Sequence, residues 1–256
     1  MAPEKVLVQR EGNIATVTVN RPEVLNCIDW ETAGNLRDTF SGLKRDEELR
    51  AVILTGSGER AFVGGVDVNI LPDFTPQTAR EFITLLHSCM AAIRELPVPV
   101  VAAVNGFALG GGCELAAACD MRIASENAMF GMPEVKLGIP SVIEAALLPR
   151  LVGVGKAVEL VLTGEMIDAG EAHRIGLAYS VAPSRLLMEE ARRVAEVLAA
   201  NGPLAMRLQK EPINVWMQGD LKTAVEAGIN SFAYCFTSPE PKEGVAAFLD
   251  KRDPRW

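Results

Sequence analysis

Over residues 14–19 the chain reads Ile-Ala-Thr-Val-Thr-Val, the two-residue alternation of a half-buried strand. The apolar residues of 6–9, on the other side of Gly12-Asn13, complete a β-hairpin. Arg21-Pro22 closes that strand, and 25–28 reads as a loop. The period then changes: Ala33, Leu36, Phe40 and Leu43 recur at threes and fours, predicting a helix over 30–43 that Gly34 and Gly42 weaken. The runs 51–55 (AVILT) and 98–104 are short, β-branched and bounded by Gly or Pro, so both predict buried strands. Between them, AFVGGVD at 61–67 predicts a strand end running into a glycine turn. Thr75-Pro76 supplies a capping hydroxyl and a first-turn proline, opening a helix whose apolar face (Ala79, Phe82, Ile83, Leu86, Met90, Ile93) lasts until Pro97.

Further on, the alanine-rich run 113–119 predicts a helix opened by Gly110-Gly111-Gly112. Short helices follow over 157–162 and 168–174, closed by Gly164 and Gly176, then a late strand over 177–182. A helix runs from Ser184 to about Ala200, and everything after Pro203 is helical in pattern except for a break at 238–241. The order is hairpin, helix, strand, helix, strand, helix and then helices to the end, an α/β chain without a repeat or low-complexity linker visible in the sequence. We divide it into a core over 1–200 and a helical region over 201–256, which either covers the core or lies across a partner subunit.

Composition narrows the function. A 49% apolar chain of 256 residues supports a sizeable core, and a net charge of −8 argues against a surface that tracks nucleic-acid phosphates. The first twelve residues carry Glu4, Lys5, Arg10 and Glu11 with no signal-like apolar core, and no apolar run is long enough to span a membrane. The five cysteines (27, 89, 113, 119 and 235) are odd in number and show no metal-ligand spacing, which points to a reducing, cytoplasmic setting and no metal.

The chemistry concentrates between 97 and 140. A strand feeding a glycine turn that opens a helix leaves N–H groups unpaired at the helix start, donors suited to developing negative charge. If the turn at Gly64-Gly65-Val66 converges with that at Gly110-Gly111-Gly112, the N–H groups of Val66 and Gly111 make a two-donor oxyanion hole, each donor contributing about 3 kcal/mol in a transition state. Either turn alone is better read as room for close strand–helix packing. Glu114 lies in the first turn of the helix, where the dipole favours its ionised form. Glu134 sits among apolar neighbours in Met132-Pro133-Glu134-Val135, where burial would favour its protonated form. This predicts Glu114 as base and Glu134 as acid, two carboxyls held at different proton affinities. His87 reads as a packing or surface residue, His173 as a surface one, and Cys113 as a small buried side chain rather than a nucleophile. The Lys-Ser/Thr of a P-loop and the Gly-x-Ser-x-Gly elbow are both missing.

At these residues the chain resembles the crotonase superfamily, the enoyl-CoA hydratase/isomerase family. The resemblance rests on RPEVLNCID at 21–29, AFVGGVD at 61–67, NGFALGGGCEL at 105–115 followed by FGMPEVKLGIP at 130–140, PRLVG at 149–153, TGEMIDAGEAHRIGL at 163–177 and KEGVAAFLDKRDP at 242–254. It implies a spiral of strand-strand-helix units with C-terminal helices that assemble a trimer or a hexamer. It implies an acyl-CoA substrate, with the coenzyme A part of the substrate rather than a separate cofactor. The thioester oxygen would lie on the N–H groups of Val66 and Gly111, with water handled by Glu114 and Glu134. Coenzyme A would lie near Asn26, Ile28, Gly65 and Asp67, reached by Phe232 and Lys251 of a neighbouring subunit. The implied reaction is hydration of a 2-enoyl-CoA or its reverse. The alternatives are an enoyl-CoA isomerase, a CoA-thioester hydrolase and a non-catalytic acyl-CoA-binding homologue. The chain departs from the family at 139–146, where IPSVIEAA replaces a proline and several glycines in a segment about one residue shorter. Val142 stands near where some isomerases and dehalogenases carry aspartate. Glu144 reads as a solvated helix residue, Asn69 replaces a common lysine, and Val66 replaces a common alanine.

Overall fold

The computed structural model describes residues 4–256. The hairpin forms as β1 (Val6–Glu11) and β2 (Ile14–Val19), and the 3.6-residue stripe folds as α1 (Trp30–Leu43), capped by the Asp29 carboxylate on the Thr32 N–H. Then come β3 (Ala51–Gly56), β4 (Ala61–Val63) and α2 (Pro76–Arg94), where Thr75 and Thr78 cap each other reciprocally. The next turn comprises β5 (Val100–Val104), β6 (Phe107–Leu109) and α3 (Gly111–Ala118). The one after it comprises β7 (Met121–Ser125) and β8 (Met129–Gly131), followed by short helical turns over Pro133–Leu137 and Ile143–Leu147. The chain continues through α4 (Leu148–Val152), α5 (Val154–Thr163), β9 (Met166–Asp168), α6 (Ala169–Arg174), β10 (Ser180–Ala182) and α7 (Leu187–Ala199). It ends in α8 (Pro203–Trp216), α9 (Leu221–Cys235) and α10 (Glu240–Asp250).

From β3 onward each turn gives one strand to each of two sheets. The larger sheet runs β1-β2-β3-β5-β7-β10, parallel apart from the hairpin; the smaller runs β4-β6-β8-β9, parallel until β9. The unit strand-strand-helix is thus repeated along a spiral, the crotonase fold. Its consequence for chemistry is direct. Because β4, β6 and β8 are neighbours in one sheet, the segments leaving them (64–66, 110–111 and 132–134) emerge side by side.

Apolar side chains between the sheets and α1 and α2 form the main core, with Leu36, Phe40, Phe62, Phe82, Met90, Ile93 and Phe130 buried in it. The other face of the large sheet is covered by α7, whose Ala191, Val194 and Ala195 meet Ile53, Val101, Ala103 and Ile123. The helix α8 is fastened to the core by a buried Lys210, whose ammonium donates to the carbonyls of Ile93 and Val98 and lies 2.7 Å from Asp120. Beyond it, α9 and α10 present Leu221, Ile229, Phe232, Val245 and Phe248 outward. No helix among the described residues is long and apolar enough to cross a membrane.

The strand expected over 177–182 is confined to its last three residues, and the helix at 157–162 starts three residues earlier. The glycine-opened helix begins at Gly111 rather than Cys113.

Candidate active site

A cavity of about 440 Å³ opens where the three strand exits meet. Its wall is almost entirely apolar, built from α2 (Phe82, Ile83, Leu86) and from Leu71, Phe74, Leu137 and Val142. Three charged residues, Arg80, Glu114 and Glu134, line it, together with Val66 and Gly111. The two glycine turns therefore converge. A Cβ placed on Gly111 would lie 3.6 Å from Val66 Cγ2.

Neither N–H group has a hydrogen-bond partner among the described residues. The bridge between Ile28 and Val66 uses the Ile28 N–H on the Gly65 carbonyl and the Asp67 N–H on the Ile28 carbonyl, leaving that of Val66 unused. Gly111 is the first residue of α3, so its N–H has no carbonyl a turn earlier to receive it. Glycine is required twice at this helix start. Gly110 has φ +52°, and a Cβ there would sit 2.6 Å from Glu134 Oε1; a Cβ on Gly112 would collide with the Val63 carbonyl, on which α3 packs directly.

The carboxyls sit in environments opposite to those expected from the sequence. Glu114 is the deeply buried one, at 3% exposure, and its proton affinity is pushed up to about 8. Burial is the main cause, opposed by the Ala145 N–H donating to Oε1 at 2.9 Å and reinforced by the nearby charges of Glu134 and Glu144. The dipole expected to favour its ionised form belongs to a helix of eight residues, all of them buried, and desolvation outweighs it. Glu134 is only half-buried, and its Oε2 accepts the Ser141 hydroxyl at 2.8 Å. Ser141 went unremarked in the sequence because nothing local ties it to Glu134, seven residues away. Burial thus favours the protonated form of Glu114.

Glu144 is likewise corrected. It is not solvated but 2% exposed, with His87 Nδ1 at 3.0 Å and Arg94 at 3.7 Å. His87 is a partly exposed residue on α2, as its sequence position implies, but its ring is engaged by this carboxylate. Burial pushes the Cys113 thiol up to about 12, so it is no nucleophile.

The segment 25–28 lies alongside 64–67, bringing Asn26, Ile28, Gly65 and Asp67 into one neighbourhood. The side chains of two of these are already committed. Asn26 is fully buried, accepting the Arg21 N–H and donating to the carbonyls of Ser57 and Ala61. Asp67 pairs with Arg21 at 3.0 Å and accepts from Asn69. The polar atoms of Asn26 are thereby spent on shaping the loop 21–28 and tying it to 57–61. Phe232 and Lys251 do not line the cavity of their own chain; both belong to the C-terminal helical region, Phe232 on α9 and Lys251 as the left-handed cap of α10.

The enoyl-CoA hydratase/isomerase family model matches residues 9–256. The short-chain-enoyl-CoA hydratase of Clostridium acetobutylicum is 42% identical over 253 residues, 98% of this chain and 97% of the relative. The crotonyl-CoA hydratase of Syntrophomonas wolfei is 41% identical over the same shares. The crystal structure of enoyl-CoA hydratase from Bacillus anthracis superposes with a TM-score of 0.94 at 36% identity, covering 99% of both chains. With its spiral fold and its paired strand exits, the chain belongs to the enoyl-CoA hydratase/isomerase family.

Proposed function

We propose that the protein adds water across the 2,3 double bond of a 2-enoyl-CoA, or removes it in the reverse direction. The observation that supports this reading is that Glu114 and Glu134 line one apolar cavity together with Val66 and Gly111, whose main-chain N–H groups have no partner among the described residues. The N–H groups of Val66 and Gly111 receive the thioester oxygen and polarise the conjugated system, so that negative charge developing on the oxygen meets donors already in place. Water between Glu114 and Glu134 adds its oxygen to the β-carbon and gives up one proton to the ionised carboxyl. The other carboxyl delivers its proton to the α-carbon. The pair thus carries a single proton before and after the reaction and acts as a unit. An apolar wall suits a hydrocarbon acyl group, and two of the relatives are named short-chain-enoyl-CoA hydratase and crotonyl-CoA hydratase.

Coenzyme A enters as part of the substrate, and no separate cofactor is needed for these proton transfers. Its nucleotide lies against the main chain of 25–28 and 65–67, with Phe232 and Lys251 supplied by a neighbouring subunit of a trimer or a hexamer. The outward apolar face of α9 and α10 supports that assembly. The five unpaired cysteines suit the reducing cytoplasm.

Crotonyl-CoA tests the reaction. Hydration removes the absorbance of the conjugated thioester and adds the mass of one water. Binding without loss of absorbance would mark a non-catalytic homologue, a shifted double bond without mass gain an isomerase, and free thiol a hydrolase. Any of these three outcomes overturns the reading.

A further inference from the structure

The mechanism leaves one buried carboxylate unused. Glu144 lies in the turn Ile143–Leu147, the segment that replaces the glycine-rich stretch of the family, and its neighbour Ala145 is the residue whose N–H reaches Glu114. The same Ala145 N–H also bonds the Val142 carbonyl at 3.0 Å, so its direction is fixed by the turn. The turn itself is not relaxed. Ile143 has φ +42°, a conformation that a β-branched residue avoids and keeps only where its surroundings impose it. The anchor available is Glu144, drawn inward between His87 and Arg94 on α2.

We propose that Glu144 is a positioning residue: held by His87 and Arg94, it fixes the 143–147 turn with the Ala145 N–H on Glu114 and sets its own charge beside that carboxyl. Glu114 then faces Glu134 from the 133–137 turn, Glu144 from the 143–147 turn, and the neutral thiol of Cys113 on its own helix. The groups that meet Glu144, the Arg94 guanidinium and the exposed His87 ring, come from α2 and sit on the Glu144 side. Charge on α2 is thereby transmitted to the catalytic carboxyl through Glu144, although neither His87 nor Arg94 is among the residues lining the cavity.

The inference uses the proposed function only for its kinetic arm. The direct arm is a carboxyl-carbon NMR titration of the full-length protein with labelled glutamate, the Glu114 resonance being the one lost in Glu114→Gln. Glu144→Gln, which keeps the volume and removes the charge, lowers the Glu114 midpoint by roughly one pH unit. Arg94→Met, which leaves Glu144 less compensated, raises it. The high-pH limb of kcat/KM on crotonyl-CoA moves the same way in each variant. A midpoint unmoved in both variants, or moved in the same direction by both, overturns the proposal. If Glu144→Gln does not fold, the sign in Arg94→Met decides, and a downward or absent shift counts against it. An inactive wild type would refute the hydratase reading while leaving the titration to judge Glu144.

Discussion

Helix α3 sinks a carboxyl into an apolar wall, whereas α9 and α10 hold large apolar side chains out in water, with Leu221, Phe232 and Phe248 at 81%, 71% and 82% exposure. Both regions reverse the usual partition of polar and apolar groups. They differ in what relieves them. A proton removes the cost of a buried carboxylate, so α3 answers to pH. Only another surface removes the cost of exposed phenylalanine, so the association proposed for α9 and α10 would answer to protein concentration. The cost at α3 is concentrated in one group that the core cannot solvate; at the tail it is spread over many side chains, none severe alone. The difference is what sets the chemistry proposed at α3 apart from the association proposed at α9 and α10.

The most severe way to break the comparison is to remove the carboxyls that it treats as functional. Glu114→Gln and Glu134→Gln should each lower crotonyl-CoA turnover by about 10³-fold, the scale of a positioned acid or base. Isothermal titration with a saturated acyl-CoA should show binding retained. If Glu114→Gln turns over normally, the burial of that group has no catalytic purpose and the reading of α3 fails. The tail should respond to a different lever. Phe248→Glu combined with Val245→Glu removes apolar area worth about 1.5–3 kcal/mol per large side chain and adds charge, weakening association by more than about 10²-fold. Sedimentation velocity over a concentration series reads this out. A wild type that stays monomeric at every concentration would leave the exposed face of α9 and α10 without its proposed partner.

The same contrast governs what could be read from the sequence. The second hairpin strand, α1 and α2 were legible because each repeats a period, and β3 and β5 because each is an unbroken apolar run bounded by Gly or Pro. Of the small sheet only β4 was legible, as the strand end before the Gly64-Gly65 turn; β6, β8 and β9 are three residues each, too short to display a period, and are defined by partners distant in sequence. Met121–Ser125 escaped notice because the polar Arg122 and Ser125 break its apolar run, although both are buried in the folded chain. Among site residues, glycine turns and two glutamates stood out because backbone geometry and spacing are local properties. Burial is not. Placing Glu114 at a dipole was sound locally, but the depth of α3 depends on Gly112 packing against Val63, two spiral turns that the sequence does not juxtapose. Glu144 was misjudged for the same reason, since its anchors on α2 lie fifty or more residues away.

A smaller effect sharpens the α3 half. Because the pair must carry one proton and Glu114 releases it at about 8, kcat/KM should fall roughly tenfold per pH unit above that value. A profile that instead rises through this region would mean that the doubly ionised pair is the active form. The tail substitutions should leave the midpoint in place.

The smallest expected effect is thermodynamic and distinguishes the two carboxyls from each other. In the unfolded chain Glu114 loses its proton near 4.5, whereas in the folded chain it keeps it to about 8. Between those values the folded state binds more protons than the unfolded one, so stability declines as pH rises through the window and levels off beyond it. Glu114→Gln abolishes that slope, because a neutral amide has nothing to release. The variant should therefore match the wild type near pH 4.5 and exceed it by on the order of 2 kcal/mol at pH 9, allowing for relaxation around the buried charge. Urea unfolding at several pH values measures the difference. Glu134→Gln, at a half-buried position already supported by Ser141, should show a much weaker dependence. If the two variants gain equally, depth of burial is not what sets Glu114 apart, and the proton at this site must be held by something other than the apolar wall around α3.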